Sequence, residues 1–149
     1  MIALENLDYT LVQVVHNFGA AAIVGGSVFA LYPAMQAVAV QRKLAWLVGA
    51  GWTAQALSGM GFAAVSYYFY GKLPDIHGIA LAALLIKMLC ALGGFSIAVL
   101  YLRHAADWTA EQRRAAWKRL IALGVTVLAA AAFLRWFAWF FPLGNPAAG

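Results

Sequence analysis

The sequence predicts an all-α integral membrane protein built as a four-helix bundle, and three observations carry that reading. Of 149 residues, 65% are hydrophobic and 10% are charged, whereas soluble domains carry about a quarter charged residues. The apolar residues gather into four runs, about 9–35, 44–70, 79–102 and 117–141, each long enough for the roughly 20 residues that cross a bilayer. Together the runs use nearly the whole chain, so residues 1–149 read as one four-span membrane domain with no room for a soluble one.

The N-terminus, MIALENLDY, carries Glu5 and Asp8 and no basic residue. A cleavable signal peptide opens with positive charge, so the first run is expected to be retained. Pro33 lies near its end, where a missing backbone N–H is least damaging. The second run contains Gly51, Gln55, Gly59 and Ala63 at four-residue spacing, the small-residue pattern that lets two helices approach closely in lipid. It ends in SYYFYGK, an aromatic cluster of the kind found at a membrane surface. The loop KLPDIHG, with Lys72, Pro74, Asp75 and His77, leads into the third run. RHAADWTAEQRRAAWKRL then brings Arg103, His104, Arg113, Arg114, Lys118 and Arg119, and PLGNPAAG is a short tail after the fourth run.

Basic residues concentrate in the first and third loops. The positive-inside rule places those loops on the inner face and both termini on the outer face, periplasmic for a bacterial inner (plasma) membrane. The expected topology is an antiparallel, up-down bundle. The formal charge of +5 is accounted for by these loops, which removes the reason to invoke nucleic acid. Cys90 lies in an apolar run and has no second cysteine to pair with, so it reads as a small packing residue.

That topology puts unusual side chains at one depth. At ~1.5 Å of rise per residue, His16 lies ~10 Å, Lys87 ~12 Å and Arg135 ~9 Å below the outer boundary, with Gln55 and Ser58 a little deeper. At ~100° per residue, Gln13, His16, Ala20, Ile23 and Ser27 share one face of the first helix. Ala80, Ala83, Cys90, Ala91, Gly94 and Ala98 surround Lys87 as a groove of small residues, and Gly124, Leu128, Ala131, Ala132 and Ala138 flank Arg135. Such faces serve as ordinary helix contacts, with Lys87 and Arg135 snorkelling outward and His16 bonded across helices, or they leave room for something flat. No Asp or Glu lies in any run. Burying the cations without a counter-charge costs several kcal/mol, and an anionic cofactor would relieve it.

Haem b meets these requirements. It is flat and apolar, its iron takes an axial imidazole that His16 can supply, and its propionates can be met by Arg135 as a bidentate fork. Gln55 and Ser58 would complete the cofactor site. Lys87 is the candidate second ligand, acting as the neutral amine. His77, on the outer loop, is too shallow by several residues unless the loop folds inward, and His104 lies about a leaflet away from His16. The expected activity is electron transfer or haem-dependent oxidation in the bilayer, with a quinone or respiratory-complex subunits as partners and assembly into an oligomer. Two other classes stand beside it: a cofactor-free accessory subunit that docks another membrane protein, and a copper-handling permease. For copper, Met35, Met60 and Met88 share no face, so soft ligands are sparse.

A histidine early in the first of four runs, the glycines between Gly19 and Gly26, a basic first loop, Ser58–Gly59 in the second run and the lysine of LLIKML in the third together form a pattern. It resembles the membrane part of copper-resistance protein D and the HemJ-type protoporphyrinogen oxidases. The HemJ-type resemblance implies a small haem-binding membrane oxidoreductase in which His16 and Lys87 are functionally important. The chain departs from the family pattern in having Ala34 and Met35 after Pro33 in place of an arginine and leucine, and in lacking an Asn-Glu pair in the last run.

Overall fold

The computed structural model describes residues 2–32, 34–74 and 76–139. The chain forms four α-helices in order, α1 (Ile2–Phe29), α2 (Val38–Tyr70), α3 (Gly78–His104) and α4 (Ala110–Trp139). Three helical stretches, Leu4–Phe29, Gly78–His104 and Ala110–Phe137, are long and apolar enough to cross a membrane. Large apolar side chains such as Phe18, Trp46, Leu89 and Trp136 point outward and are exposed. An apolar exterior on this scale is consistent with a membrane protein and is foreign to a soluble monomer. α2 is the longest helix, at 33 residues, yet it does not reach the same apolar composition. Its uncharged polar residues Gln41, Gln55 and Ser58 are buried, whereas Arg42, Lys43 and Thr53 are exposed.

Helix ends differ from the apolar runs for local reasons. The first helix stops at Phe29 rather than continuing to Met35, and residues 30–32 form a turn. A proline at 33 disfavours helix in the residue before it and lacks the N–H that a further turn would use. Pro33, Asp75 and the end of the fourth run, 140–141, lie outside the described residues. α2 ends on Gly71 in the left-handed region (φ 68°), whose N–H donates to Tyr67 O at 2.9 Å. α4 begins well before the apolar run at Trp117. Thr109 N donates to Gln112 Oε1 (2.8 Å) and Gln112 N to Thr109 Oγ1 (3.2 Å), a reciprocal capping box that starts the helix among charged residues.

The helices form a ring in which α1 touches α2, α2 touches α3, α3 touches α4 and α4 touches α1; among the described residues the diagonal pairs make no backbone contact. The two ends of this ring are packed differently. At the end holding the 30–37 and 105–109 connections, Tyr101, Trp117, Leu120, Val48, Trp52 and Ile23 are fully buried. Gln41 joins three helices there. Its Oε1 accepts from Tyr101 Oη and from Trp117 Nε1 (3.1 Å), while its Nε2 donates to Gln36 O at 2.5 Å. Tyr101 also packs against Trp108 and Trp117, with ring centroids 5.6 and 5.0 Å apart. A buried amide with its oxygen and nitrogen both engaged fixes the relative positions of α2, α3 and α4.

Toward the other end, no described side chain of α1 before Gly19 and none of α2 after Ser58 is fully buried. Only small or polar groups are covered there, among them Gln55, Ser58, Ala80, Ala83 and Ala130. The groove of small residues on α3 is real, since Ala80, Ala83, Cys90, Gly94 and Ala98 are all buried. It does not run free along the helix, because the Trp52 indole of α2 fills it at Gly94. A Cβ at Gly94 would overlap that ring. Gly94→Leu should therefore destabilise the protein by about 1–3 kcal/mol through overpacking, read as denaturant unfolding in detergent. Trp52→Ala in the same chain should recover part of that loss, whereas strictly additive effects would mean that the two positions do not compete for one space.

Candidate functional site

His16 sits where α1 and α2 are closest. At Gly19 and Gly51 the backbones touch: a Cβ on Gly19 would lie 3.1 Å from Gly51 O, and one on Gly51 2.9 Å from Gly19 O. Only hydrogen at both positions allows this approach. On either side the contacts pair Gly26 with Val48, Val12 with Gly61 and Glu5 with Tyr70. The ridge of α2 facing α1 is thus Gly51, Gln55, Ser58 and Gly61. The expected four-residue series drifts off it, because each step of four turns ~40° past a full revolution. Gly59, two steps along, meets nothing within 4 Å.

That close approach puts two α2 side chains on His16. Gln55 Nε2 donates to His16 O at 2.5 Å, and His16 Nδ1 lies 2.8 Å from Ser58 Oγ. Ser58 has one hydroxyl proton, and its Oγ lies 2.6 Å from Ala54 O and 3.3 Å from Gln55 O, both acceptors only. With the proton committed to those carbonyls, Ser58 Oγ accepts from His16, so the imidazole carries its proton on Nδ1. The lone pair is then on Nε2. Phe62 packs its ring edge-to-face on the imidazole, centroids 5.7 Å apart at 69°, and Tyr9 stacks on Phe62 at 6.3 Å. Main chain, ring nitrogen and ring face are all held, which restricts where Nε2 can point.

Lys87 of α3 is half-buried and within electrostatic range of His16. The register explains this. Gly94 packs on Trp52 and Gly49 on Ala98, and Lys87 lies about two turns from Gly94, level with Ser58 on α2. Of the three cationic positions expected in one layer, His16 and Lys87 lie within electrostatic range of each other, and Gln55 and Ser58 bond to His16. Arg135 is exposed on α4. By wheel arithmetic it lies within ~20° of the face of Gly124, which packs on Ile23 and Val24 of α1, so its exposure reflects how open that end of the ring is. Ala138 lies among the residues whose side chains are not described.

The remaining candidates fall elsewhere. His77 precedes α3 as its N-cap residue in extended conformation and is exposed, and His104 is exposed in the last turn of the same helix. Gln13, expected on the inward face of α1, is exposed and donates to Asn17 Oδ1 at 2.7 Å; Ile23 and Ser27 of that face are buried. Met60 and Met88 are exposed, and Met35 packs against the core at the closed end. Among the described residues no three of the His, Cys, Asp and Glu side chains gather into a group that could hold a metal ion.

Phe62 and the pair Gly19/Gly51 as a contact are the site features that the sequence reading missed. Phe62 carried a signal, since it lies about one turn beyond Ser58. The tautomer gives a direct test. Side-chain nitrogen NMR should find His16 protonated on Nδ1, and Ser58→Ala should raise the population protonated on Nε2; an unaltered tautomer ratio in that variant would show that Ser58 does not set it. Comparison with known proteins returns no match for this chain, whether to a family model, to a curated protein or to a solved structure.

Proposed function

We propose that the chain is a four-span membrane protein of the HemJ-type and copper-resistance protein D kind that binds one haem b and acts in electron transfer or haem-dependent oxidation. In this reading α2 is the fourth span, the helices run antiparallel, and both termini lie on the outer, periplasmic side of the plasma membrane. The burial of Gln41, Gln55 and Ser58 supports α2 as a span, because its polar groups are bonded inside the bundle rather than offered to lipid. The α1–α2 pairs from Glu5–Tyr70 to Gly26–Val48 support the antiparallel order.

One observation carries the functional reading: His16 is held through Nδ1 and its carbonyl, which leaves the Nε2 lone pair free to bind a metal at the end of the bundle where the covered residues are small or polar. That is the donor a haem iron takes, and the Nδ1–H···Oγ bond is the kind of outer partner that orients an axial imidazole. In this reading Lys87, within electrostatic range of His16, is the second ligand or a counter-charge for an anionic group, and exposed Arg135 is the partner for a propionate. Bound there, haem would supply a one-electron centre. The protein's own part is to hold the imidazole, exclude competing donors and balance the propionates.

The reading is tested by absorbance. Protein expressed with ample haem should show a Soret band, and His16→Ala should lose it while still inserting, because the helix stays apolar. An unchanged spectrum in His16→Ala removes His16 from the ligand set, and no Soret band in the wild type favours a cofactor-free accessory subunit. Arg135→Leu should weaken haem retention and shift its midpoint potential; unchanged retention and potential would make Arg135 an interfacial anchor.

A further inference from the structure

A second feature lies away from His16, on the outside of the closed end. Between α2 and α3 runs a groove of ≈ 460 Å³ lined by Gly49, Ala50, Thr53, Ala98, Val99 and Leu102, with Trp46 and Phe95 along it. The glycine and alanines make the depth. A Cβ at Gly49 would lie an ordinary 3.6 Å from Ala98 Cβ, so the helices are close at the floor with little side chain above it. The hydroxyl of Thr53 donates to Gly49 O at 3.1 Å, which leaves the lining effectively hydrocarbon. Trp46 is 70% exposed and Phe95 46%, so two rings stand open beside the trough.

At one mouth of the groove stand Arg42, near the start of α2, and Arg103, in the last turn of α3. Among the described residues neither guanidinium has a carboxylate partner. Two guanidinium forks at one mouth suit a phosphate. An apolar trough continuing from a phosphate-sized cationic mouth has the charge pattern of a phospholipid, with the headgroup at the arginines and an acyl chain along the small residues. We propose that this groove is a binding site for an anionic phospholipid. The proposal rests on the chain lying in a bilayer and is independent of haem.

The test uses full-length protein in phosphatidylcholine nanodiscs containing increasing fractions of phosphatidylglycerol with brominated acyl chains, or of brominated phosphatidylcholine as control. Bromine quenches a neighbouring indole, and the Trp46 contribution is the part of the signal lost in Trp46→Phe. Brominated phosphatidylglycerol should quench that part at a mole fraction roughly tenfold lower than the control lipid. Arg42→Gln with Arg103→Gln should abolish the preference. Thr53→Phe, which fills the trough from an exposed position and keeps both charges, should abolish preferential quenching as well. Equal quenching by the two lipids, or a preference that survives either change, overturns the proposal. So does full displacement by inorganic phosphate at matched concentration, which would make the arginines a site for free anion. Absence of quenching by both lipids would mean that no acyl chain lies in the groove, and would overturn it equally.

Discussion

The contact of α1 with α2 at Gly19 and Gly51 governs the site. Two backbones that touch there leave the neighbouring turn of each helix within reach of a short side chain from the other. Ser58 is such a side chain, and it reaches the His16 ring only because the helix axes are this close. Gln55 extends across the same gap to the His16 carbonyl. A methyl group at either glycine would press on the facing carbonyl and push both partners away from the histidine. The chemistry available at His16 is thus decided by two residues that carry no functional group.

The ring of helices divides its polar groups unequally. At the closed end, Gln41, Tyr101 and Trp117 satisfy one another inside a shell of large side chains, and the reward is a fixed geometry among three helices. At the other end, His16 and Lys87 lie half-buried in apolar runs that contain no carboxylate. Large residues fill space and lock a core; small ones leave space or let backbones touch. Trp52 against Gly94 marks the boundary between the two regimes, since its ring closes the α3 groove there.

Small residues on α2 consequently do two different things on two faces. Gly51 lies against α1 and brings helices together, whereas Gly49 and Ala50, adjacent in sequence, line an outward trough beside α3. Successive positions on a helix differ by ~100°, so neighbours in the chain serve separate surfaces. The arginines at the mouth of the trough belong to the loops whose positive charge the sequence reading assigned to orientation, and one set of residues can serve both ends because each depends only on cation placement at a helix terminus.

The sequence by itself determined four helical segments, three of them apolar enough to cross a membrane, the inward face of α1 through Ile23 and Ser27, and the burial of Ala80, Ala83, Cys90, Gly94 and Ala98 on α3. It could do so because hydropathy and the 3.6-residue period fix the angular position of each residue on its own helix. It also named His16, Lys87, Gln55 and Ser58, since polar groups in apolar runs are few. Only tertiary structure decided that Ser58 meets Nδ1, that Gln55 binds a carbonyl, that Trp52 fills the α3 groove, and that Arg135 is exposed while Lys87 stands near His16. Those outcomes depend on helix register and axial separation. Both are set by complementarity between residues far apart in the chain, such as Gly19 with Gly51 and Gly94 with Trp52, and no periodicity within one helix encodes them.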